Sequence, residues 1–84
     1  STTAPQSLTL LNATEVRQAA EKTAARLTAE ADSAEARLIL AYRLIIGRAP
    51  TDQERMLSQE FLQHSPLTEL CRALFNLNAF VYGD

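Results

Sequence analysis

The sequence predicts an all-α fold, a compact bundle of four main helices with a short N-terminal helix or turn. Three observations lead there. Apolar residues recur at steps of three and four through four successive stretches. A helix-start device, a capping residue followed three positions later by Glu, recurs at Asn12, Asp32 and Thr51. Glycine, which weakens helix interiors, occurs only twice in the 84 residues, so the stretches run uninterrupted.

The elements follow in order. Leu8, Leu10 and Leu11 predict a turn or short helix lying on the bundle. Asn12-Ala13-Thr14-Glu15 reads as a capping box that opens a helix over about 13–31. Val16, Ala20, Ala24, Leu27 and Ala31 form its inward stripe, mostly of small residues that let a partner come close. Asp32-Ser33-Ala34-Glu35 repeats the box and starts a helix to about Ile46. Leu38, Ile39, Leu40, Tyr42, Leu44, Ile45 and Ile46 make that helix apolar around most of its circumference, so it is expected at the centre of the bundle. Gly47 fits the left-handed position after a helix end. Thr51-Asp52-Gln53-Glu54, after Pro50, opens a third helix over about 52–63 that is expected to bury Met56, Leu57 and Phe61. Ser65 as N-cap and Pro66 at the first helical position open the fourth, with Leu67, Leu70, Cys71, Leu74 and Leu77 as its stripe.

The totals bound the function. A chain of 84 residues makes one small domain, which buries about 60–65% of its unfolded surface. Its net charge is −2 and its basic residues are scattered from Arg17 to Arg72, which gives no electrostatic case for nucleic acid. The richest apolar run, Leu38 to Ile46, is broken by Arg43 and falls short of a membrane span. A lone Cys71 cannot form an internal disulfide. The opening, Ser1-Thr2-Thr3-Ala4-Pro5, has no Met and reads as an excised piece of a longer polypeptide.

Groups able to do chemistry are few. His64 stands at the end of the third helix, where the helix dipole favours it, and no second His or nearby Cys completes a metal site. Cys71 sits on an apolar stripe and reads as a small buried hydrophobe rather than a thiolate nucleophile. Glu35, Asp52 and Glu54 are best used as caps or first-turn partners of the helix dipole, and no carboxylate pair has distinctive catalytic spacing. Arg48, directly after a helix stop, reads as a clamp onto unpaired carbonyls or onto Glu54, with partner contact as the second reading. In the tail, Asn76 and Asn78 alternate with apolar groups, as at a helix end whose amides satisfy backbone groups. Phe80, Val81 and Tyr82 then complete the core or offer an apolar contact to a neighbouring domain.

Three segments together resemble the C-terminal family called planctomycete-specific domain one. They are Pro5-Gln6-Ser7-Leu8-Thr9-Leu10-Leu11-Asn12; Ala41-Tyr42-Arg43-Leu44 through Gly47-Arg48-Ala49-Pro50-Thr51 and Glu54; and Leu74-Phe75-Asn76-Leu77-Asn78 to Phe80-Val81-Tyr82 and Asp84. The resemblance implies a helical C-terminal module of a secreted or envelope-associated bacterial protein. Such proteins often carry an upstream domain related to cytochrome c, and some carry carbohydrate-binding-like modules. It supplies no catalytic residues. This chain has no Cys-x-x-Cys-His for haem, and Ala79 stands where the family's ending usually has Glu.

The expectation is a non-catalytic structural or docking module that packs on the upstream domains of its own polypeptide. No catalytic residue, metal or cofactor is assigned, and the candidate interface is Arg48, Asn76, Asn78, Phe80, Val81 and Tyr82. Two alternatives stand beside it. One is the wall of an active site shared with upstream domains, through Arg48, His64, Asn76 and Asn78. The other is a homo-oligomerising bundle with weak self-association. Neither nucleic-acid binding nor direct membrane insertion is expected.

Overall fold

The computed structural model describes the backbone of residues 11–82 and the side chains of residues 11–78. Leu8 and Leu10 of the expected N-terminal element, and the side chains of Ala79, Phe80, Val81 and Tyr82, lie outside that description. Within it the fold is all-α: α1 (Ala13–Glu30), α2 (Ala34–Ala41) running on into a π-helical segment (Tyr42–Ile46), α3 (Asp52–His64) and α4 (Leu67–Tyr82).

Local chemistry explains each start and stop. At α1 the amide of Glu15 donates to Asn12 Oδ1 (2.8 Å) and the amide of Asn12 donates to Glu15 Oε1 (3.1 Å), a closed capping box. Thr51 and Glu54 close the same box at α3, at 3.1 and 2.9 Å. The middle cap differs from expectation. Ser33, not Asp32, is the N-cap of α2, with its hydroxyl accepting from the amide of Ala36 (3.1 Å). That one-residue shift places Glu35 too early to reach back, and its carboxylate is used elsewhere. The α2 end has its own device: the amide of Gly47 donates to the carbonyl of Tyr42 (2.9 Å), five residues back, and Gly47 takes φ +93°. At α4 the helix begins at Leu67, with the amides of Glu69 and Leu70 donating to the carbonyl of Pro66.

Packing follows the size of the inward residues. Ala20, Ala24 and Leu27 of α1 are buried, and α1 has its most extensive contact with α4, where Leu70, Cys71 and Leu74 are buried. Small side chains at Ala20 and Ala24 let the two helices approach closely. The second helix is central, as expected: α2 packs against α1 and α3, and the π-helical segment packs against α4. Leu38, Ala41, Tyr42 and Ile45 are its buried residues. Fully burying a side chain such as Leu27 or Leu38 contributes about 2 kcal/mol, so these leucines anchor the core.

Three sequence expectations are corrected here. Met56 (64% exposed), Leu57 (59%) and Phe61 (37%) are not core residues but face outward from α3. The inward face of α3 is Arg55, Ser58, Gln59 and Leu62, at i, i+3, i+4 and i+7, and only Ser58 is fully buried. Leu77 (42%) leaves the α4 stripe, and Asn78 (3%) occupies the inward place instead. Leu44 (40%) lies, with Arg43, on an exposed side of the second helix.

Candidate functional site

Besides Leu62, its apolar residue packed on the core, α3 is held by polar ties to α2 and the π-helical segment. Ser58 is small enough to let α3 close on α2, and the Tyr42 hydroxyl lies 3.4 Å from Ser58 Oγ inside the contact. Glu35, released from capping, accepts from the Gln59 side-chain amide and from Arg55 Nη1 (3.4 Å), binding the first turn of α2 to the middle of α3. With Arg55 and Gln59 held inward, the 100° step of the helix leaves Leu57 and Phe61 outside.

Arg48 anchors the start of the same helix. Its guanidinium donates from Nη1 to Glu54 Oε1 (2.7 Å) and from Nη2 to Glu54 Oε2 (2.8 Å), a bidentate pair, and Nη1 also donates to the carbonyl of Ala49 (3.0 Å). The Arg48 hydrogen bonds, followed by the Thr51 amide, hold the Glu54 carboxyl down at about 2, well below its ordinary 4.5. Gly47 makes this possible, because its left-handed backbone turns the chain from the π-helical segment toward Thr51.

A further tie was not visible in the sequence. Arg37, in α2, donates to the carbonyls of Ala31 (2.8 Å) and Thr28 (3.4 Å), so a side chain of the next helix covers the end of α1. The sequence signal was only an Arg one turn into a helix that follows a short turn, a pattern too common to single out.

The groups nominated for chemistry have the following surroundings. His64 is exposed at the end of α3, Asn76 is exposed on α4, Asn78 is buried, and Arg48 is engaged with Glu54. Cys71 is fully enclosed, and burial pushes its thiol up to about 11, which keeps it protonated and unreactive at neutral pH. Among the described residues no group of His, Cys, Asp and Glu side chains is arranged to hold a metal ion.

A mixed-charge depression of about 440 Å³ lies where the starts of α1 and α4 meet, at Ala13, Thr14, Arg17, Glu69 and Arg72. Its charges are partly spent on each other, since Arg72 Nη2 donates to Glu69 Oε1 at 2.6 Å and draws the Glu69 carboxyl below the usual range. Among the described residues no helix is long and apolar enough to cross a membrane. What the surface does offer is apolar side chains: Leu44 on the π-helical segment, Leu77 on α4, and the group Met56, Leu57 and Phe61 on α3.

A small all-helical domain with its polar groups tied internally and apolar groups left outside is the class of protein that this geometry defines. Over residues 1–62 the chain matches the PSD1 family, described as protein of unknown function (DUF1553), and it belongs to that family. No curated protein and no solved structure matches it.

Proposed function

We propose that this domain is a non-catalytic docking module of a multidomain bacterial protein, secreted or associated with the envelope, and that it packs on the polypeptide preceding it. The observation that carries this reading is the placement of large apolar side chains: Leu44, Met56, Leu57, Phe61 and Leu77 are all exposed, while the core is built largely from Ala and Leu. Exposed apolar groups clustered on an element, rather than scattered, mark a contact surface. Membership of the DUF1553 family supports the extracytoplasmic setting that the sequence resemblance implies. Leu44 and Leu77 stand on two elements that pack against each other, with Asn76 next to Leu77 and Arg48 four residues after Leu44, which supports a seam with the preceding polypeptide on those two elements.

The test is an amide-shift titration of the labelled domain with the preceding polypeptide supplied in trans. Shifts concentrated at Leu44, Arg48, Asn76 and Leu77 are expected. An unchanged spectrum at saturating concentration would sink the docking reading. The active-site alternative would be favoured by a concave cluster joining His64 to Asn76 and Asn78, and the burial of Asn78 does not support it.

A further inference from the structure

The outward face of α3 is carried by a different helix from Leu44 and Leu77, and we infer that it pairs with the same face of a second copy of this chain, with the two α3 helices antiparallel. The inference goes beyond the docking reading by giving the α3 part of the exposed apolar surface a different partner, and it is tested on a different helix from the seam proposed above.

The register comes from the sequence of the face. Glu54, Leu57, Phe61 and His64 follow one another at steps of three, four and three, which is the spacing of a helix–helix seam. Reversed and laid against itself about a two-fold axis level with Gln59, this seam is self-complementary. Leu57 meets the partner's Phe61, and Phe61 meets the partner's Leu57. At each end the His64 imidazole meets the partner's Glu54, whose Oε2 has lone-pair capacity beyond the hydrogen bond from Arg48. The acidic first turn, Asp52 and Glu54, thereby adjoins the partner's last turn, and the helix dipoles oppose. A parallel pair would set like ends together instead. An isologous contact of this kind needs only one surface patch, and α3 carries one.

The same geometry makes the pair weak. A stable interface takes about 800 Å² from each partner, more than Leu57 and Phe61 expose on a single helix, Met56 lying about 120° round the helix from the seam. Glu60 comes beside its own symmetry mate at the rim, and that repulsion limits affinity further. A net charge of only −2 adds little general repulsion between copies. A dissociation constant on the order of 1 mM is expected.

The experiment is a dilution series of the full chain from about 2 mM to about 0.05 mM, followed by amide shifts and by filtered cross-relaxation between labelled and unlabelled copies. Concentration-dependent shifts along the outward face of α3, with contacts from the Phe61 ring to Leu57 methyls of the other copy, are expected. A Leu57→Ala, Phe61→Ala double variant should lose at least about tenfold in affinity with unchanged helicity by circular dichroism, and Glu60→Gln should tighten the pair. Three outcomes would each overturn the inference: shifts independent of concentration, association unaffected by the double variant, or contacts joining Leu57 to Leu57 and Phe61 to Phe61 as in a parallel pair. Binding of the preceding polypeptide to the outward face of α3, with no self-contact at any concentration, would also overturn it and would move the docking seam from Leu44 and Leu77 to α3. Loss of binding at Leu44 and Leu77 with self-pairing retained would overturn the docking seam and leave the self-pairing standing.

Discussion

At Glu54 one carboxylate serves both a helix cap and an ion pair, accepting from the Thr51 amide and from both terminal nitrogens of Arg48. Its pKa of about 2 against an ordinary 4.5 has a sign that can be followed. The group is ionised in the folded chain at pH values where the unfolded chain has already taken up a proton. Its stabilisation is therefore complete above about 4.5 and is lost as pH falls toward about 2. Glu54→Gln keeps an oxygen for the cap but removes the charge. It should cost about 0.5–1 kcal/mol at pH 7 in low salt, and the gap from the parent should close between pH 4.5 and 2. Urea unfolding at pH 7, 4 and 2.5 checks this, and a gap that persists at the lowest pH would show that the ion pair is not its source. Arg48 and Glu54 were both readable as clamp and cap from their spacing. Glu35 was not, because choosing Ser33 over Asp32 as N-cap rests on a backbone detail that two adjacent good caps leave undecided in sequence.

Among the elements, α1 was the most legible, and α4 was legible from Leu70 to Leu74 but not at Leu77. The α3 helix was legible in its ends and not in its rotation. Met56, Leu57 and Phe61 are the large apolar residues a sequence reading assigns to a core, yet Ser58 is the buried residue. Hydrophobic periodicity ranks residues by transfer free energy, whereas here Leu62 is the apolar residue of α3 packed on the core, and Arg55, Gln59 and the Tyr42–Ser58 pair add polar contacts from α2 and the π-helical segment. Those contacts cross from 16 to 24 residues along the chain, beyond what local spacing records. The stop at Gly47 was clear in sequence, and it supports a quantitative expectation. A Cβ there meets nothing within 4 Å, so Gly47→Ala is costly only through its left-handed backbone. A loss of about 1–2 kcal/mol is expected from that strain, and Gly47→Asn should lose less. Thermal melts of the pair measure it, and an equal loss in both would point away from backbone conformation.

For the molecule as a whole, close approach of α1 to α4 is the organising contact, and small residues permit it. Ala24→Leu should destabilise the domain by about 1–3 kcal/mol through overpacking, whereas Ala25→Leu, one position round on the exposed face, should change stability by less than about 0.5 kcal/mol. Urea midpoints compare the two, and similar values would mean that the helices do not meet as closely as described. The bundle and its family were legible in sequence because caps, helical spacing and ordered segments act over short range. Which apolar residues stay outside was not, because that depends on how four helices divide a limited interior between them.

The π-helical segment has a consequence best put as phase. An i to i+5 closure at Tyr42 and Gly47 fits one more residue into the turn than α geometry would hold. Each residue advances a helix by about 100°, so that extra residue decides the bearing on which the chain departs. A chain one residue shorter between Ala41 and Gly47 would keep every cap and nearly every apolar group. Its exit, however, would swing by more than a quarter-turn, carrying Arg48 away from Glu54 and α3 away from Tyr42. The count of residues in that stretch is thus information in its own right, separate from their identity.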